Sequence, residues 1–187
     1  MNLFKEFFHE GFFHIVDVDA LDHILFLFAI VAIYNVSEWK KILWVITSFT
    51  IAHSLSLALS LLNIINLPSH LVEFLIACTI AFTCMENLFL KKLHPYRVLL
   101  SGFFGLIHGL GFSTSLKSLF SPQDLNLFTT LFPFNLGIEC GQLVIITFIF
   151  IAFIVFQQFG KASSSTMNKV ISYPVLLISL YWMITRF

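Results

Sequence analysis

Residues 41–63 read KILWVITSFTIAHSLSLALSLLN, a run closed by Lys41 and Asn63 in which His53 is the one ionisable side chain between the ends. A helix rising about 1.5 Å per residue needs about 20 mostly apolar residues to cross a bilayer, and this run supplies them. Five further segments meet the same test, near 19–36, 70–90, 97–118, 129–157 and 168–186, the one at 129–157 being long enough to tilt or to extend past the membrane. The expected fold class is therefore all-α, a polytopic membrane protein with six transmembrane helices forming a single integral membrane domain over residues 1–187. Composition agrees, at 58% hydrophobic and 11% charged, where soluble domains carry about 25% charged residues. The mean hydropathy is +0.93.

Ahead of the first span, Leu3, Phe4, Phe7, Phe8, Gly11 and Phe12 share one helical face and Lys5, Glu6, His9 and Glu10 fall largely on the other. This pattern predicts an amphipathic helix over about 1–15 lying in the membrane interface. The amino terminus lacks the pattern of a cleavable signal peptide, so the first span is expected to act as its own signal. Breaks between spans fall at Pro68, Pro95, Pro122 and the run 162–166.

Lys40, Lys41, Lys91, Lys92, Arg97, Lys161 and Lys169 all fall in the first, third and fifth connections, whereas Lys5, Lys117 and Arg186 fall on the other side. The positive-inside bias then puts both termini outside. It also puts Glu6, Glu10, Asp17, Asp19, Asp22 and Asp124 at or near the external surface, an acidic mouth that could concentrate cations or serve only as a solvated rim. Formal net charge is zero, with no basic run, so no nucleic-acid partner is expected. There is no phosphate-binding loop of the G-x-x-x-x-G-K-[ST] type, so no nucleotide is expected either. Cys78, Cys84 and Cys140 lie in apolar segments without a C-x-x-C pair and read as small buried residues rather than thiolate ligands.

Ionisable groups inside such helices are costly, about 2.5–3.5 kcal/mol each near the bilayer centre even on the lenient insertion scale, and mark function. They recur at Asp22-His23, His53, Glu86-Asn87, His108 and Asn135 to Gln142. Asn135, Glu139 and Gln142 share one helical face at i, i+4 and i+7. Thr50, His53, Ser56 and Ser60 form another polar stripe, whose hydroxyls are ordinary packing residues in membrane helices. By depth, Asp22, His23, His53, His108 and Glu139 can meet in the external half of the membrane. Imidazole with carboxylate suits a borderline divalent ion, nickel, cobalt or zinc, with Asn135 and Gln142 as weak or supporting partners. Structural histidines and haem ligation are the alternatives. Asp22 could ligate directly or orient His23. Glu86 and Asn87 could form a release path or proton relay, or reach the interface near Lys91 and Lys92. Gly105 and Gly109 have GxxxG spacing for close helix packing around His108.

At these residues the chain resembles the HupE/UreJ family of bacterial membrane proteins. The similar elements are Gly11 to His14 leading to Asp22-His23, Phe49 to Leu57, Glu86-Asn87, Phe104 to Phe112 and Phe134 to Gln142. The resemblance implies a nickel or cobalt permease of the bacterial inner membrane. In one respect the chain departs from the pattern: relatives commonly place five residues before the Asp-His pair, whereas seven separate His14 from Asp22. On a continuous helix two extra residues rotate His14 by about 200°. His14 is therefore assigned a secondary place, unless residues 17–19 are irregular.

The expected function is thus a divalent transition-metal permease, acting alone, as a homo-oligomer or with an unseen partner subunit. Its proposed course runs from Asp22 and His23 through His53, His108 and Glu139 to Glu86. The competing readings are an intramembrane zinc-dependent hydrolase, with Glu139 as base to a histidine-bound zinc, and a b-type haem protein using His53 and His108.

Overall fold

A computed structural model describes residues 3–90, 94–119, 126–160 and 163–187, without the side chains of residues 19, 113–119 and 127. Lys91, Lys92, Pro122, Asp124 and Lys161 lie outside the described residues, as do the side chains of Asp19 and Lys117. Among the described residues the chain is helical, with no strand: α1 (Leu3–Val16), α2 (Leu21–Val31), α3 (Trp39–Leu61), α4 (Ser69–Phe89), α5 (Arg97–Leu119), α6 (Phe132–Gly160) and α7 (Ser164–Thr185).

Four segments, Val36–Leu61, Ser69–Phe89, Phe128–Gly160 and Ser164–Thr185, are long and apolar enough to cross a bilayer. Their outer faces carry large apolar side chains, with Phe89 78% exposed, Phe159 83% and Ile184 81%. A surface of that kind is stable only against lipid or protein. At 11 residues α2 is shorter than these four segments; it covers about 16 Å at ~1.5 Å per residue, about half the thickness of a bilayer core.

Chain punctuation follows local chemistry. α3 ends with Asn63 at a positive φ of 58°, the left-handed position that asparagine tolerates. There Asn63 N–H donates to the Ser60 carbonyl and Ile64 N–H to the Leu59 carbonyl, 3.0 and 2.9 Å, satisfying the last carbonyls of the helix. Ser163 caps α7 by accepting from Thr166 N–H at 3.1 Å. Between α1 and α2 the helix breaks into a tight turn over Val18–Ala20.

The most extensive helix pairings are α3 with α5, α1 with α6 and α4 with α7. Small residues set the first two. A Cβ on Gly105 would overlap the Phe49 carbonyl, and one on Gly109 would overlap the His53 carbonyl and the Ser56 hydroxyl. Gly11 lies as close to Phe134, and Gly137 to Phe8. α1 therefore turns Phe7, Gly11 and Ile15 inward against α6, so part of its apolar face packs on protein, which the amphipathic pattern alone did not distinguish from lipid. Hydroxyls reinforce the α3–α5 seam: Ser48 donates to the Val98 carbonyl and Ser101 to the Val45 carbonyl, 2.8 and 2.9 Å.

Candidate metal centre

The break after α1 brings His14 onto the same spot as His23. Because the chain turns at 18–20 instead of continuing as one helix, the rotation imposed by the two additional residues is undone. The ring centroids of His14 and His23 lie 4.8 Å apart, and those of His14 and His53 5.8 Å. One ligand nitrogen from each of His14, His23 and His53 can be chosen so that all lie within 4.8 Å of one another. His108 on α5 lies beside them, its ring 5.3 Å from that of His23. The histidines thus come from α1, α2, α3 and α5.

Five of their nitrogens are buried without a hydrogen-bond partner among the described residues: His14 Nε2, His23 Nε2, both nitrogens of His53, and His108 Nδ1. Buried polar atoms are nearly always paired in native proteins, so the clustered orphans of His14, His23 and His53 fit a set of ligands. Two histidines have their free lone pair selected by a neighbour. Asp22 Oδ1 takes both the backbone N–H of His23 at 2.8 Å and its ring Nδ1 at 3.0 Å. Nδ1 therefore carries the proton and Nε2 the lone pair, the carboxylate–histidine arrangement of metal sites. Of the two roles open to Asp22, orientation of His23 is the one its contacts serve. At His108, Nε2 lies 2.9 Å from Thr79 Oγ1, which itself donates to the Ile76 carbonyl at 2.7 Å. With the hydroxyl proton so directed, Nε2–H donates to Thr79 and Nδ1 keeps its lone pair.

A cavity of about 470 Å³ opens onto this group, lined by His14, Asp22, His23 and His108, with Glu10, Asp17, Glu73 and Arg186 among its wall residues. His53, fully buried, stands behind them. Below His108 the way is filled by aromatic rings: Phe26 and Phe49 lie 4.9 and 5.2 Å from it, and Phe104 lies 6.0 Å from Phe26.

The other singled-out residues fall into two separate networks. On α6, Glu139 Oε1 accepts from Thr47 Oγ1 at 2.5 Å, Gln142 Oε1 accepts from Thr50 at 2.9 Å, and Asn135 pairs with Ser54. This polar ladder clamps α6 to α3. Glu139 meets α3 six residues from His53, about 9 Å along the axis, and is not one of the clustered ligands. At the opposite end of the bundle Glu86 and Asn87 meet Arg97, whose Nε lies 3.4 Å from Glu86 Oε2 and whose Nη2 donates to Asn87 Oδ1 at 2.9 Å. Asn87 also donates to the Ala29 carbonyl at 2.5 Å, and Asn168 Nδ2 donates to the Asn87 carbonyl at 2.8 Å. Arg97, counted from sequence among the loop charges, is only 5% exposed.

Sequence reasoning missed Thr79, Thr83 and Arg97. The signal was present, since Thr79, Thr83 and Glu86 repeat at i, i+4 and i+7 just as Asn135, Glu139 and Gln142 do.

Comparison with known proteins places this arrangement in context. A family model described as HupE / UreJ protein matches residues 1–186. No curated protein and no solved structure gave a match.

Proposed function

This chain belongs to the HupE/UreJ family, which implies a role tied to nickel or cobalt transport, and on that premise we propose that it is a membrane permease for a divalent transition-metal ion. The observation that carries this reading is the convergence of buried, unpartnered imidazole nitrogens from His14, His23 and His53 beside an open cavity.

In the proposed course the chain crosses the cytoplasmic membrane six times with both termini outside, so that the cavity faces the exterior. The acidic walls at Glu10, Asp17 and Glu73 raise the local cation concentration. The ion then exchanges part of its water shell for His23 Nε2, His14 Nε2 and a nitrogen of His53, with His108 Nδ1 as the deepest donor. Neutral imidazoles suit nickel and cobalt, and zinc by the same chemistry. A site without thiolate and with orienting rather than ligating carboxylate holds the ion weakly enough for it to leave. Glu139, Asn135 and Gln142 support the site by joining α6 to α3, and Glu86 serves the release end.

The hydrolase reading needs Glu139 as base beside the histidine-bound ion, but Thr47 already engages that carboxylate. The haem reading needs a porphyrin between His53 and His108, where the Phe49 ring lies 5.8 and 5.2 Å from the two imidazoles.

Elemental analysis and nickel titration of chelator-free protein test the proposal, followed by uptake into proteoliposomes. Wild type should bind about one ion per chain and transport it, and His53→Ala and His108→Ala should lose both. Uptake at the wild-type rate in both variants would sink it.

A further inference from the structure

We propose that Glu86, Thr83 and Ser101 form a second, oxygen-lined station for the transported ion, which in this conformation is held by the guanidinium of Arg97 and which the ion takes over by displacing it. This rests on the transport reading above and adds to it the chemistry of the release end.

The station lies on the same helix face as the upper site. Thr79, Thr83 and Glu86 are 4%, 3% and 7% exposed and follow one another down α4 over about 10 Å. Thr79 touches His108 at one end and Glu86 faces Arg97 at the other. A small void of about 10 Å³ lies there, lined by Thr83, Glu86, Arg97 and Ser101 with Phe26 and Phe104 among its apolar walls. It has room for about one water-sized occupant.

Hydroxyl orientation decides what the void offers. Thr83 spends its proton on the Thr79 carbonyl at 2.8 Å, and Ser101 spends its proton on the Val45 carbonyl at 2.9 Å. Each hydroxyl therefore presents lone pairs rather than a proton to a neighbour. Glu86 Oε1 is buried with no partner among the described residues, and so is Arg97 Nη1. The surroundings thus supply acceptor oxygens and a carboxylate, the ligand set of a cation.

An ionised carboxylate this deeply buried is costly without a cation beside it. Arg97 fills that need loosely. Its Nε to Oε2 distance of 3.4 Å exceeds the ~2.7–2.9 Å of a strong charge-assisted bond. Meanwhile its other contacts are independent of Glu86: Nη2 donates to Asn87 Oδ1 at 2.9 Å, and the guanidinium lies over the Tyr34 ring at 5.5 Å. The guanidinium can retract onto Asn87 and Tyr34 while an arriving ion neutralises Glu86. Oxygen donors hold nickel or cobalt less firmly than imidazoles do. An ion passing from the histidines to this station therefore moves to weaker ligands, which favours release.

Nickel titration by calorimetry of purified Arg97→Gln and Glu86→Gln/Arg97→Gln proteins tests the exchange directly. Freed of its tethered cation, the Arg97→Gln protein should bind a second, weaker nickel ion per chain. The charge-neutral double variant should not. A folded Arg97→Gln protein that binds only as many ions as wild type, or a double variant that keeps the second ion, overturns the proposal. Thr83→Val, nearly the same shape without the lone pairs, gives an answer that does not depend on the Arg97 variants folding. Its uptake should fall about tenfold or more while titration at the histidines is unchanged, and wild-type uptake would overturn the station. Loss of nickel binding in wild type itself would count against the upper site, and the gained ion in Arg97→Gln remains readable in that case.

Discussion

Gly109→Ala should both destabilise the protein and damage its metal site. A Cβ at this position would overlap the His53 carbonyl oxygen and stand 2.9 Å from its carbon. Ordinary carbon–carbon contact is ~3.5–4.0 Å, so α5 must retreat from α3 by at least about 0.6 Å. The Ser56 hydroxyl can rotate away, but the His53 carbonyl is backbone and cannot. Overpacking of this kind costs about 1–3 kcal/mol. At about 2–4 °C per kcal/mol for a chain of this size, the unfolding temperature in detergent should fall by about 2 to 12 °C. Because the displaced carbonyl belongs to His53 itself, nickel affinity should also fall by about tenfold or more, a loss comparable to removing a supporting contact. Gly160→Ala is the internal control, since nothing lies within 4 Å of its Cβ position, and alanine in a helix there should be neutral or slightly stabilising. Thermal unfolding and calorimetric titration of both variants read the result. A Gly109→Ala protein with wild-type unfolding temperature and wild-type nickel affinity would refute the argument that helix contact positions His53.

Asp22→Asn keeps an acceptor oxygen for His23 but loses its charge, so nickel affinity by titration should drop less than in Asp22→Ala, where about 10- to 100-fold is expected; equal loss in both would exclude the orienting role. His14→Ala should weaken binding about as much as His23→Ala, because the turn at Val18–Ala20 places both rings in one group; unchanged affinity would remove His14 from the site. Thr79→Val should move the proton on His108, visible as a changed nitrogen-15 shift of that ring, whereas Thr79→Ser should preserve it. Glu139→Gln should leave nickel affinity within about threefold, since Thr47 rather than the histidines engages that side chain, while lowering thermal stability by about 1 kcal/mol or more.

The amphipathic and apolar patterns made the helices legible, because the cost of exposing backbone polar groups in lipid leaves a long apolar run little other choice. The same cost made His23, His53, His108 and Glu86 visible as residues with a purpose. Local sequence also carried the glycine spacing at Gly105 and Gly109, which needs only the geometry of one helix. Which polar groups meet was decided by the tertiary structure. His14 looked misdirected when measured along a continuous helix, and the turn at Val18–Ala20 returns it to His23. Glu139 had the right depth for the histidines, yet its α6 face docks on the Thr47 side of α3. Arg97 read as a loop charge, and the approach of α4 buries it against Glu86. Depth along a helix is a one-dimensional quantity that sequence records. Rotation about the axis and the identity of the neighbouring helix depend on packing across the whole bundle, and on these the candidate site rests.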